Sequence, residues 1–173
     1  MPGGRGGNVG APAPVQLVRK GRGATSRLAH RFEKWARESD RDALDAARAE
    51  ADLDREPPPL ATEVSFEDAR SLLAYNESPD LGFDRSINPY RGCEHGCPYC
   101  YARPTHSYLN LSPGLDFETR LVAKRNAAEV LQRELAAPGY RPAPVNIGSA
   151  TDAYQPIERE LKITRRVLEV LTR

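Results

Sequence analysis

The chain has 173 residues, about one domain's worth, and its 25 basic and 24 acidic residues leave a net charge of +1. That balance neither demands a nucleic-acid partner nor excludes one. No apolar run approaches the roughly 18 residues that span a bilayer, and the N-terminus lacks the apolar stretch of a secretory signal, so the expected location is cytoplasmic with no membrane partner.

In chain order, residues 1–24 are rich in Gly, Pro and Arg and read as a flexible basic tail, with phosphate contact by Arg19, Lys20 and Arg22 as the functional alternative. Leu28, Phe32 and Trp35 recur at helical spacing. Ser39 with Asp42 resembles a capping box for a second short helix over Ala43–Arg55, which carries too little apolar surface to define a core. Pro57, Pro58 and Pro59 break it, which sets a boundary near Leu60 between residues 1–60 and 61–173.

From Ala61 onward the segments shorten and alternate. Ala69–Asn76 suits strand or helix by periodicity, and Arg85–Tyr90 predicts a strand. Glu118–Lys124 predicts another strand, with Leu121 and Ala123 on the face opposite Val122. Asn126, followed three residues later by Glu129, is an N-cap pair for a helix through Ala137 that turns Leu131 and Leu135 to a core and ends at Pro138-Gly139. A strand over Val145–Ser149, a polar loop over Thr151–Gln155 and a helix over Ile163–Leu171 complete the pattern. Strand, helix, strand, helix predicts an α/β fold of parallel βα units. Such a sheet needs more than two strands, and the sequence stops inside the last helix, so the expected folded region is unfinished.

Between the first of these strands and the next lie all three cysteines, as Cys93-Glu-His-Gly-Cys97-Pro-Tyr-Cys100. An odd, clustered set argues against a disulfide framework and for metal binding in a reducing compartment. Three thiolates on one loop can hold three irons of a four-iron cluster and leave the fourth iron open. Zinc is the rival: it wants four ligands, and with no second Cys pair the alternative is a Cys3His site with His106, while His95 inside the loop reads as a loop residue. Arg85, Arg91 and Arg103 flank the loop and read as ion-pair partners or as charge balance for a cluster. With Tyr90, Tyr101, Tyr108 and Tyr154 they form the alternative of a surface for nucleic acid or another anionic substrate.

Cys93-x3-Cys97-x2-Cys100, with aromatic Tyr99 before the third cysteine, resembles the signature of radical S-adenosylmethionine (SAM) enzymes. The wider stretch from Phe83 to His106, continued by Leu111–Glu118, Asn126–Leu135 and Thr151–Glu158, is similar to a bacterial branch related to spore photoproduct lyase and often labelled a DNA repair photolyase; Arg19–Ala24 also looks like that branch's N-terminal segment. The resemblance implies that residues 61–173 form the N-terminal portion of a partial (β/α) barrel. It implies that Cys93, Cys97 and Cys100 ligate a 4Fe-4S cluster whose fourth iron is chelated by SAM, and that Tyr99 lies against the adenine. It further implies an electron donor such as flavodoxin or ferredoxin, and a 5'-deoxyadenosyl radical that abstracts hydrogen from an unknown substrate.

Most members of that family place a glycine-containing segment against the SAM amino group after the second strand. Gly148-Ser-Ala-Thr-Asp152 occupies the place without the usual Gly-Gly-Glu pattern, and Ser149, Thr151 and Asp152 offer acceptors that suit an ammonium group. The same residues are ordinary in a helix-capping turn, which is the alternative. Spore photoproduct lyase returns hydrogen through a further cysteine downstream, and no cysteine lies between Tyr101 and Arg173, so that repair chemistry lacks its donor in this stretch. Because family members continue with further βα units, the expectation for this chain alone is weak cluster binding and little SAM cleavage. A non-catalytic iron–sulfur or zinc module is the remaining alternative.

Overall fold

The structure is a computed structural model that describes residues 22–24, 28, 29, 31, 32 and 61–172. The helix expected over Ala43–Arg55, Trp35, the triple-proline break and most of the basic tail lie outside the described residues; Arg31 and Phe32 form a turn.

The described residues form six short strands. They are β1 Glu63–Glu67, β2 Leu73–Tyr75, β3 Arg85–Ile87, β4 Tyr90–Arg91, β5 Arg120–Lys124 and β6 Val145–Ile147. The helices are α1 Leu115–Thr119, α2 Ala127–Leu135, α3 Glu158–Leu161 and α4 Ile163–Leu171, and a 3-10 helix covers Arg103–Leu109. The fold is mixed α/β. Leu121 and Ala123 are buried on β5 while Val122 is half-buried on the other face, which is the alternation expected of that segment.

The pairing departs from a simple series of βα units. One sheet has the order β1-β5-β4 and the other β2-β3-β6, so the strands on either side of α2 belong to different sheets. Parallel pairing occurs between β1 and β5 and between β3 and β6, whereas β2 and β4 run antiparallel to their neighbours. The expected strand over Arg85–Tyr90 is divided at Asn88-Pro89 into β3 and β4. Proline has no amide proton for a ladder, and the division lets one stretch of chain serve both sheets. The strand expected from Glu118 begins at Arg120, because Leu115–Thr119 first makes a helical turn after Pro113-Gly114, with Thr119 Oγ1 donating to the Leu115 carbonyl.

The helix expected after Asn126 starts at Ala127 and ends at Leu135, without a side-chain cap. The Asn126 amide is engaged elsewhere: its Oδ1 accepts from Ala69 N at 2.8 Å and its Nδ2 donates to Ala69 O at 3.0 Å. Two backbone groups of a distant segment thereby outcompete the local cap. Helices α2 and α4 pack over one buried cluster that takes Leu73 and Ile87 from one sheet, Tyr90 and Ala123 from the other, and Val130, Leu131, Ile163 and Val167 from the helices.

Candidate functional site

Because β3 and β6 are parallel neighbours, the Asn88-Pro89 connection after β3, which leads through β4 into the cysteine loop, emerges beside the turn after β6. The loop after β4 carries the cysteines, and the turn after β6 is Gly148–Gln155. Several hydrogen bonds join them. Asn88 Nδ2 donates to Ser149 Oγ at 3.0 Å and Asn88 Oδ1 accepts from Ala150 N at 2.7 Å. Thr151 Oγ1 donates to the Gly92 carbonyl at 2.6 Å, and Gln155 Oε1 accepts from Glu94 N at 2.9 Å. Glu94 Oε2 then accepts from Ile157 N at 2.7 Å.

Between loop and turn lies a cavity of about 770 Å³. Cys93, Cys97 and Cys100 line it together with Tyr101, Ser149, Thr151, Asp152 and Tyr154. All three cysteines are free thiols. Burial pushes the Cys93 thiol up, opposed by hydrogen bonds from the backbone of Asp152 and His95. Asp152 is half-exposed; its Oδ2 faces His95 Nε2 at 3.4 Å and its Oδ1 accepts from Tyr154 N at 2.7 Å. The Ser149 carbonyl accepts from the Tyr101 hydroxyl, so this tyrosine reaches from the cysteine loop to the opposite turn.

The structure thus brings Cys93, Cys97, Cys100, Ser149, Thr151 and Asp152 to one cavity. Tyr99 is not among the lining residues and is 87% exposed. His106, the sequence candidate for a fourth zinc ligand, is fully buried beside Phe117, with Nε2 3.0 Å from the Arg120 carbonyl, and does not line the cavity.

The loop takes its shape from groups that spacing arguments do not reach. Gly96 has φ +62°, and a Cβ there would lie 2.2 Å from Glu118 Oε2, so this position needs glycine for both backbone and space. Arg103 is buried and threads behind the loop, donating to the carbonyls of Cys97 (2.9 Å), Gly96, Pro113 and Gly114, with Glu118 Oε1 at 3.4 Å. Asn88, Glu94, Gln155 and Glu118 were not site candidates from sequence, and Tyr101 was one only as part of the aromatic surface alternative. Glu94, Gln155 and Glu118 are nearly fully buried polar residues, and the partners that explain them are often 60 or more positions away. Arg103 stood out only as one of three arginines flanking the loop. Arg85 and Arg91 pair instead with Asp84 (2.6 Å) and Glu67 (3.3 Å).

The donor set fits a four-iron cluster: three soft thiols on the wall of one cavity, one of them receiving backbone hydrogen bonds of the kind that tune cluster potentials. His95 lines the same cavity, so three thiols and an imidazole, the donor types of a zinc site, also face it. Among the described residues no group of three His, Cys, Asp or Glu side chains is arranged around a single ion.

Comparison with curated proteins gives relatives of much greater length. An uncharacterized protein of Mycobacterium tuberculosis (strain ATCC 25618 / H37Rv) is 45% identical over 98 residues, covering 55% of this chain and 29% of its own. An uncharacterized protein of Mycobacterium bovis gives the same values. An uncharacterized protein of Methanocaldococcus jannaschii is 31% identical over 83 residues, covering 48% of this chain and 29% of its own. The chain therefore spans less than a third of the length of these relatives. No family model and no solved structure matches it.

Proposed function

We propose that this chain carries the cluster-binding portion of a radical SAM protein, with Cys93, Cys97 and Cys100 as ligands of a 4Fe-4S cluster and the cavity beside them as the place of SAM. The observation that supports this reading best is the meeting, in one cavity, of all three thiols from the loop after β4 with the Ser149–Asp152 turn at the C-terminal end of β6. In this reading the β3–β6 pair belongs to a partial (β/α) barrel continued in longer relatives.

Bound together, a cluster held by Cys93, Cys97 and Cys100 and SAM beside it would supply one-electron radical chemistry for hydrogen abstraction from a substrate, with the electron drawn from a donor such as flavodoxin or ferredoxin. The chain's own residues bind and orient. Asp152 places a carboxylate on the cavity wall, where it attracts an ammonium group. The Thr151 hydroxyl proton is committed to Gly92, so Thr151 fixes the distance between turn and cysteine loop. Tyr101, rather than Tyr99, is the tyrosine of the cysteine loop on the wall, and its ring can lie against a flat base.

Anaerobic reconstitution with iron and sulfide, followed by electron paramagnetic resonance, tests the reading. The expected result is a cubane signal from the reduced protein that changes when SAM is added, and its loss in Cys97→Ala. One zinc and no iron per chain would replace this reading with a structural metal module.

A further inference from the structure

Glu118 has no exposed surface, and a carboxylate buried in this way is retained only with donors around it. Two of its donors come from a segment 94 and 95 positions away: Gly23 N donates to Oε2 at 2.8 Å and Ala24 N to Oε1 at 2.7 Å. Arg22 adds a bond from Nη1 to the Glu118 carbonyl and another from Nη2 to Thr62 Oγ1 at 2.8 Å. Further along, Leu28 N donates to Ser112 Oγ, and the same hydroxyl donates to the Leu28 carbonyl, both at 2.8 Å. The third anchor is Arg31, which donates to the Tyr108 hydroxyl at 2.9 Å.

This segment touches the cysteine loop directly. A Cβ on Gly23 would lie 1.9 Å from the Gly96 carbonyl oxygen, and a Cβ on Gly96 would lie 2.8 Å from Arg22 Cβ. Gly96, directly before Cys97, is tied to both sides of the loop: its amide donates to the Cys93 carbonyl at 3.2 Å, and its carbonyl accepts from Arg103, which also holds the Cys97 carbonyl. Gly96 is not a cavity-lining residue, whereas the three thiols are. The loop is therefore gripped on one side by Arg22–Ala24 and presents its sulfurs on the other.

We propose that Arg22–Ala24 form a strap that fixes the shape of the cysteine loop from behind, with Glu118 as the positioning residue that anchors it. Arg22 in this arrangement is spent on Glu118, Thr62 and Glu94 rather than on a phosphate. The strap stands on its contacts alone; that the loop it shapes carries a cluster rests on the function proposed above.

The test uses the full 173-residue chain as wild type, Gly23→Ala and Glu118→Gln. Gly23 is half-buried against Gly96, and its added methyl can be relieved only by lifting the strap from Gly96, because the obstructing atom is backbone. Hydrogen exchange on the metal-free chain reads the loop without reference to any metal. Gly23→Ala is expected to speed exchange of the Gly96, Cys100 and Arg103 amides roughly tenfold or more while β5 and α2 amides stay within about twofold. After reconstitution, its iron content is expected to fall at least to about half and the signal of the reduced cluster to shift. Glu118→Gln should act in the same direction, and if it fails to fold, Gly23→Ala decides alone. Unchanged exchange at Gly96, Cys100 and Arg103 in Gly23→Ala would overturn the strap. Absence of iron in wild type would instead overturn the cluster reading, with the exchange comparison still deciding the strap.

Discussion

His106 shows how one neighbour fixes a residue's chemistry. The Arg120 carbonyl can only accept, so Nε2 carries the proton, and Nδ1 is a buried atom with no hydrogen-bond partner among the described residues. Burial pulls the His106 pKa below its ordinary value, chiefly through lost hydration of the imidazolium. In the unfolded chain the ring titrates near its usual value of about 6.5. As pH falls below that value the unfolded state takes up a proton that the folded state resists, so stability is full above about pH 6.5 and declines below it. Urea midpoints measured at pH 7.5 and 5.5 should show this decline, by no more than about 1.4 kcal/mol per pH unit for one proton. His106→Phe should flatten the dependence; an unchanged slope would assign the acid sensitivity to other groups.

Among the elements, α4 begins in an unusual way. Lys162, the residue before it, has φ +53° and supplies no side-chain cap. The cap comes from Glu158, whose Oε2 accepts from Thr164 N and Oε1 from Arg165 N, both at 3.0 Å, and which also takes the hydroxyl of fully buried Tyr90. Glu158→Ala should destabilise by about 2 to 4 kcal/mol, the sum of a lost cap and a buried phenol left unpaired. Glu158→Gln retains an acceptor and should lose less; equal losses in the two variants would refute the cap. The periodicity of Ile163–Leu171 announced the helix with its bounds, and Leu131 likewise announced α2, because a long apolar stripe carries its own evidence. The three-residue strands carried less. Ala69–Asn76 stayed open between helix and strand, and only its antiparallel pairing with β3 makes Leu73–Tyr75 a strand. The cysteines were legible because all three fall within eight positions of one another. Their supports were not, since Glu118 meets Gly23 and Glu94 meets Ile157 only after the chain has folded.

At the scale of the whole described core, two sheets that share no ladder nevertheless close over a single cluster of buried side chains. The link is the stretch from Arg85 to Arg91, which leaves one sheet at Ile87, enters the other at Tyr90 and runs straight on into the cysteine loop. A loop mounted on that link should not melt ahead of the core, since Asn88, Gly92 and Glu94 tie it at three points to the turn after β6. Cys93 is 8% exposed and serves as an internal probe. In the metal-free chain its alkylation, followed by mass spectrometry across a urea series, should rise along the same curve as the loss of far-ultraviolet circular dichroism. Leu131→Ala, a truncation in the fully buried cluster, should move both curves together by about 2 to 5 kcal/mol. If Cys93 becomes reactive at lower urea than the helices melt, the loop is a separate opening unit, and its ties to Asn88 and Thr151 are weaker than their geometry indicates.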